Sequence, residues 1–253
     1  MAWGPGQSVT GGSIATNINR LFVFGATDAY KDLVSGTTYT GSLAGGAAFG
    51  SDAIGTYVEA FANGDYLQTG SLGQSVTDTD YSLFLTFSRS GTIGNFSPLF
   101  LQADSGGGIF YGMQCDSPPS TVRNYLDGAY VSISNNLSSI TANTEFTVVV
   151  TKTGTTGKYF YKGGSSPISY TSGTFSGSRT LTNIQICGWG AFGSLSYLGR
   201  FRAYGRWSRA LSNAEAQSMA DNPQQILATA STSIYEFNSF NRGIGRGIAR
   251  GIA

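Results

Sequence analysis

The chain has 253 residues, enough for one large β domain or two small ones. Hydrophobic residues make up 40% and charged residues only 11%, against a usual share of about 25%, and 36 glycines with frequent Ser and Thr suit many short strands joined by tight turns. The formal net charge of +1 favours neither nucleic acid nor a membrane surface as partner, and the absence of histidine excludes Ser-His-Asp and Cys-His arrangements and imidazole metal sites.

Residues 1–19 are rich in Gly, Ser, Thr and Asn and are expected to form an N-terminal arm. The start, Met1-Ala-Trp-Gly-Pro-Gly, lacks the basic and apolar segments of a secretory signal, and no run of ~18 apolar residues occurs, so synthesis in a cytoplasm without a membrane span is expected. Strand-like apolar runs follow at 20–24, 57–61, 81–87, 98–101, 109–113, 130–133, 146–151, 158–161, 181–187 and 198–207. Turn residues such as Asp127-Gly128 and Lys162-Gly-Gly separate them, and period-2 alternation marks several as half-buried strands. Cys115 and Cys187 are too far apart in sequence for a CxxC pair; two readings stand, a disulfide between them or, as expected here, two buried free thiols.

The run 198–207 alternates most clearly. Phe201, Ala203, Gly205 and Trp207 fall on one face, and Arg200, Arg202, Tyr204 and Arg206 on the other. Two readings stand for Arg200, Arg202 and Arg206: a solvated outer face, or a cationic contact face for an acidic partner.

One helix is predicted over 213–221. Ser212-Asn-Ala-Glu215 fits a capping box, Leu211 and Ala216 sit at hydrophobic-staple positions, and Pro223 ends the segment. One domain is therefore expected over 20–227, followed by an arm over 228–253. From Arg200 onward there are seven arginines and three acids, and the chain ends in the four-residue repeat RGIG-RGIA-RGIA. Its glycines weaken a helix by about 1 kcal/mol each relative to Ala. Two readings stand for Arg242, Arg246 and Arg250, interleaved with Ile244, Ile248 and Ile252: a partner-docking peptide for an acidic, partly apolar groove, or an inert flexible tail. No aromatic is interleaved with these arginines, so nucleic acid is not the expected partner.

The segment FRAYGRWSRALSNAEAQSMADNPQQIL at 201–227 resembles the last strand and following helix of concanavalin A-like lectin/glucanase domains of the laminin-G-like kind. The matching residues are Trp207, Ser208, Arg209, Ala210, Leu211, Ser212, Ala214 and Glu215, and Asn222-Pro223-Gln224-Gln225-Ile226-Leu227 looks like the endings of phage-encoded members. Ala29-Tyr-Lys-Asp-Leu-Val-Ser-Gly36 resembles an early Asp-x-x-Ser-Gly loop, and Gly64-Asp-Tyr-Leu67 a Gly-Asp-Tyr-Val strand start. The segment 145–152 stands where many members carry a Trp-His-His-Val strand, without its histidines.

The resemblance implies an all-β, two-sheet antiparallel jelly-roll sandwich with one short C-terminal helix and extended termini. The enzymatic branch of that family needs carboxylates in a pattern like Glu-x-Asp-x-x-Glu, which place a nucleophile and a general acid about 5–5.5 Å apart. Asp78 and Asp80 are the nearest acids and lack a third partner, so no catalytic residue and no enzymatic activity are expected. Some members hold calcium; Asp32, Asp65 and Asp104 are the candidates here, weighed against turn roles, with no other metal or cofactor. Two functions are then expected. One is a virion structural protein of a tailed bacteriophage, a capsid decoration or head-fibre protein, homo-oligomeric and bound to capsid subunits. The other is a carbohydrate-binding module whose glycan stacks on Trp189, Tyr125 or Tyr130.

Overall fold

The computed structural model describes residues 3–4, 7–9, 12–27, 30–77, 80–90, 97–104, 109–115, 121–126, 129–134, 141–171, 178–188 and 197–228. The strands before residue 80 are β1 (Ser8–Val9), β2 (Ile18–Val23), β3 (Gly41–Ala44), β4 (Ala48–Asp52), β5 (Gly55–Ala60), β6 (Tyr66–Thr69) and β7 (Gln74–Thr77). Then come β8 (Asp80–Arg89), β9 (Pro98–Asp104), β10 (Ile109–Cys115), β11 (Thr121–Leu126), β12 (Ala129–Ser134), β13 (Phe146–Thr153) and β14 (Thr156–Tyr161). The series closes with β15 (Ile168–Thr171), β16 (Ser178–Ile186), β17 (Gly199–Trp207), the helix α1 (Asn213–Asp221) and β18 (Leu227–Ala228).

Sixteen of these strands form two antiparallel sheets, as expected for an all-β sandwich, and β1 and β18 pair as a separate two-stranded ribbon. Sheet I runs β12-β11-β10-β9-β16-β6-β3, with β7 also on β16; sheet II runs β15-β14-β13-β8-β17-β5-β4, with β2 also on β17. In each sheet one long strand is shared, on one side, by two short ones. β5 pairs with Gly199 to Phe201 of β17 and β2 with Ala203 to Trp207.

Between the sheets lies the main core, in which Tyr81, Leu83, Leu85 and Phe87 of β8 and Val148 and Val150 of β13 meet Phe100, Tyr111, Met113 and Ile184 of sheet I. Phe87 alone lies 5.4–5.8 Å from the rings of Tyr197, Phe201 and Phe146. A second apolar layer covers the outer face of sheet II. It joins Phe84, Val149, Ala203 and Trp207 of the sheet to Ala216, Met219 and Ala220 of α1 and to Trp3. Sheet II is thus buried on both sides, which is why β8 and β13 are buried continuously, Tyr81 to Ser88 and Thr147 to Lys152, where one-sided strands alternate.

The N-terminal segment, expected as an arm, contributes to this second layer. The Trp3 backbone brackets the β4–β5 turn, donating to the Ile54 carbonyl at 3.0 Å and accepting from Thr56 N at 2.8 Å. Its indole donates to Glu145 at 2.9 Å. Gly55, at φ 133°, lies under Trp3, and a Cβ there would fall 2.0 Å from the Trp3 carbonyl oxygen.

The helix α1 forms where the capping box placed it, with Ser212 accepting from Glu215 N and the Glu215 carboxylate from Ser212 N. Arg209 also grips Glu215, at 2.7 and 2.9 Å, and its hydrogen bonds hold that carboxyl down at about 2. The folded-state value lies below the unfolded one, so Glu215 stabilises the fold above pH ~4.3 and loses this effect as pH falls toward 2. Ser212→Ala is expected to cost about 1 kcal/mol. The stability gap between the parent and Glu215→Gln, followed by thermal unfolding from pH 6 to 2.5, is expected to close toward the acid end; a gap constant with pH would refute the linkage.

Cys115 and Cys187 are both buried and unbonded. Cys115 N bonds to Ser97 and Cys187 N to Leu99, so β9 lies between them. Two strand spacings, about 10 Å, exceed the reach of a disulfide. Burial pushes both thiols well up.

Candidate functional site

The alternation read along 198–207 breaks at a β-bulge, where the register of β17 against β8 shifts between Phe201 and Ala203. Phe201 and Tyr204 therefore point into the inter-sheet core, while Ala203 and Trp207 join the outer layer. Arg200, Arg202 and Arg206 do not share a free cationic face. Arg206 is buried, donates to Gln102 of sheet I at 3.1 Å and lies 5.0 Å from the Tyr81 ring centroid. Gln102 also donates to the Tyr204 hydroxyl, so a polar clamp crosses the sandwich. Burial pushes that hydroxyl up to about 12, which keeps it protonated at neutral pH.

Arg202 is buried too, and acidic partners surround both remaining arginines. Arg202 meets Asp52 at 2.7 Å and Glu145 at 3.3 Å, and donates to the Gly55 carbonyl at 3.0 Å. Arg200 meets Glu59 at 3.2 Å and Asp52 at 3.3 Å and lies over the Tyr57 ring at 4.7 Å. Burial opposes ionisation of Asp52, but the Arg202 guanidinium and the Ile54 and Gly55 N–H groups outweigh it and hold its carboxyl below the usual range. Two guanidiniums face three carboxylates, so the patch is amphoteric rather than cationic.

The calcium candidates are taken up by the protein itself. Asp32 Oδ1 accepts from Leu21 N and Val34 N, and Oδ2 from Arg20 and Ser35, all within 2.8–3.1 Å. Asp65 accepts from Gly46 N at 2.6 Å and from Phe61 N and Ala62 N at 2.9 Å. The residues present do not fit a hard-cation site, which needs six to eight oxygens with free lone pairs. Among the described residues no group of three or more potential metal-binding side chains converges. Asp104 closes β9, opposite Leu181, and its side chain lies outside the described residues.

Of the glycan-stacking candidates, Tyr125 and Tyr130 are register partners in β11 and β12; their side chains and all of Trp189 lie outside the described residues. So do Arg242, Ile244, Arg246, Ile248, Arg250 and Ile252. Two features escaped sequence reasoning. One is a cleft of about 260 Å³ at the junction of β2 and β5, lined by Thr27, Phe49, Ser51 and Thr56 among others. The other is Phe61, 60% exposed, immediately after β5. The Asn63-Gly64-Asp65 turn that holds Phe61 was the available signal.

No family model matches the chain, and no curated protein matches it. Solved structures do. Trypanosoma rangeli sialidase in complex with the inhibitor DANA is 14% identical, over 83% of this chain and 33% of that one, with a TM-score of 0.60. The botulinum neurotoxin serotype D ligand-binding domain in complex with N-acetylneuraminic acid is 13% identical, over 83% and 52%, with a TM-score of 0.59. The chain thus spans a third of the sialidase and about half of the toxin domain, and the likeness is one of fold: a lectin-like β-sandwich.

It also corrects the expectation that the chain is no enzyme. Sialidases contain this fold, one of them captured as a covalent intermediate. Sialidases use a tyrosine nucleophile in place of the paired-carboxylate arrangement. Lack of histidine and of a Glu-x-Asp-x-x-Glu strand is therefore no ground for excluding catalysis.

Proposed function

We propose that the chain is a virion structural protein of a tailed bacteriophage, a capsid decoration or head-fibre protein that docks on capsid subunits through its termini. The observation that carries this reading is the β1–β18 ribbon, in which Ser8 pairs with Ala228 and Val9 with Leu227. It seats Leu227 and Ala228, the last described residues, against the N-terminal segment. The segment beyond it carries the basic, isoleucine-spaced repeat of 242–253, with no acid in those twelve residues. A low charge density and a resemblance to phage-encoded chains at 222–227 support the same reading. Several copies docking together would gain strength through multivalency.

The test is co-sedimentation with capsids of the encoding phage. Deleting residues 242–253 is expected to weaken capsid binding at least tenfold while leaving the thermal midpoint unchanged. Equal binding by both chains would refute docking through the tail.

A second reading, a lectin-like module for host-surface adhesion, is favoured by the sialic acid ligands of the structural neighbours. Reproducible binding of the isolated chain on a glycan array supports it, and a blank array counts against it.

A further inference from the structure

The cleft at the junction of β2 and β5 is assembled by strand register. Along β5, Val58 and Ala60 face the inter-sheet core, so Thr56 lies on that same side. β4 pairs Ser51 with Thr56 and Phe49 with Val58, which puts Ser51 and Phe49 there too. The chain leaving β2 meets them. Gly25 lies on Thr56, where a Cβ would come 2.6 Å from the Thr56 hydroxyl oxygen, and Thr27 follows. The space of about 260 Å³ between this turn and the β4–β5 hairpin is thus lined by three hydroxyls and the Phe49 ring. That ring is held edge-on to Tyr30, with centroids 6.3 Å apart.

These polar groups are not consumed by the fold. The Thr27, Ser51 and Thr56 hydroxyls make no hydrogen bond to any described residue. The backbone adds further free groups. Thr56 N donates to the Trp3 carbonyl, away from β4, so Thr56 and Ser51 face each other without ladder bonds, as do Val58 and Phe49 in the next such pair. The N–H and C=O groups of Phe49 and Ser51 therefore point out of sheet II, in which β4 is the last strand. None of the described lining residues is ionisable. The cleft presents hydroxyl donors and acceptors, one aromatic wall and no charge.

We infer that this cleft binds a neutral monosaccharide, its hydroxyls bonded by Thr27, Ser51 and Thr56 and its C–H groups against Phe49. The inference rests on the lectin-like reading and names its site and sugar class. Sugar hydroxyls both donate and accept, and so do those of Ser and Thr, so each contact can take either polarity. Pockets for drug-sized ligands run to roughly 300–1,000 Å³. The smaller volume here suits a single sugar ring. An anionic sugar would bring its carboxylate against a wall with no cation to pair with it, and part of its hydration would be lost without compensation.

The test uses the full chain with methyl glycosides of glucose, galactose and mannose, and N-acetylneuraminic acid as the anionic comparator. Binding is read by titration calorimetry and by backbone amide NMR shifts. A neutral glycoside is expected to bind, with shifts concentrated at Gly25, Thr27, Ser51 and Thr56. The double variant Thr27→Ala, Ser51→Ala, at two exposed positions, is expected to weaken it at least tenfold at an unchanged thermal midpoint. Ser51→Leu, which fills the cleft from its exposed side, is expected to abolish it. Sugar binding that survives both variants, or shifts that fall elsewhere, overturns this site and leaves the lectin-like reading standing. Binding of no sugar overturns both, and a preference for N-acetylneuraminic acid overturns the neutral class.

Discussion

Trp207→Ala is expected to remove about 4 kcal/mol of folding stability, in the upper range for a buried aromatic truncation. Trp207 is fully buried on the outer face of sheet II, with its ring 5.7 Å from that of Phe84. It packs in one cluster with Leu211, Ala216 and Met219 on the helical side and with Trp3 and Leu21 on the other. Its indole N–H also donates to the Ile14 carbonyl at 2.6 Å, tying the 3-10 turn Ser13–Ala15 to the sheet. Truncation leaves a cavity under α1 and deprives that carbonyl of its donor, so transfer, cavity and hydrogen-bond losses add. Trp207→Phe keeps most of the volume and is expected to cost about half as much. Urea denaturation gives both values, and limited proteolysis should show earlier cleavage within residues 3–17 of the alanine variant. A loss below about 1 kcal/mol would mean that the outer layer is not part of the cooperative fold.

The contrast between β17 and α1 shows how far local chemistry reaches. The helix was legible because its signals are local: a capping box, a staple and a following proline all lie within the thirteen residues 211–223. β8, β13 and β17 were legible from their apolar runs. β3 and β4, Gly-Ser-Leu-Ala and Ala-Phe-Gly-Ser-Asp, were not, because nothing in such segments favours a strand; pairing with β6 and β5 makes them strands. The facing of Arg200, Arg202 and Arg206 was misread for a related reason. The bulge that turns Arg206 inward arises where β17 passes from β5 to β2 as neighbour, and neither partner is visible from within 198–207. Trp3 had a cue, a lone tryptophan in a Gly-rich segment, but its berth is built from Gly55 and Glu145. Phe61 read as the last residue of an apolar run. Its exposure depends on a carboxylate four residues ahead and a glycine fifteen behind, a three-way contact that no periodicity encodes.

Asp32→Ala is expected to cost about 3–5 kcal/mol, the range for removing one member of a buried, hydrogen-bonded ion pair. Asp32 is fully buried, and each oxygen accepts two donors. Without the carboxylate, Arg20, whose side chain is 12% exposed, keeps only its position 5.6 Å from the Tyr39 ring and a long contact to the Asn19 carbonyl. Leu21 N loses its acceptor inside the core, and the turn through Ser35 loses its centre. Asp32→Asn separates the terms: its carbonyl oxygen can still serve Leu21 N and Val34 N, but its amide cannot accept from Arg20 or Ser35. A loss of about 2 kcal/mol, between the parent and alanine, is therefore expected. The comparison also tests the calcium alternative, since both oxygens are occupied by protein donors and the cost should be the same in excess calcium and in chelator. If calcium stabilises the parent and that gain vanishes in Asp32→Asn, the carboxylate is a metal ligand, and the donor geometry of this loop rearranges on binding.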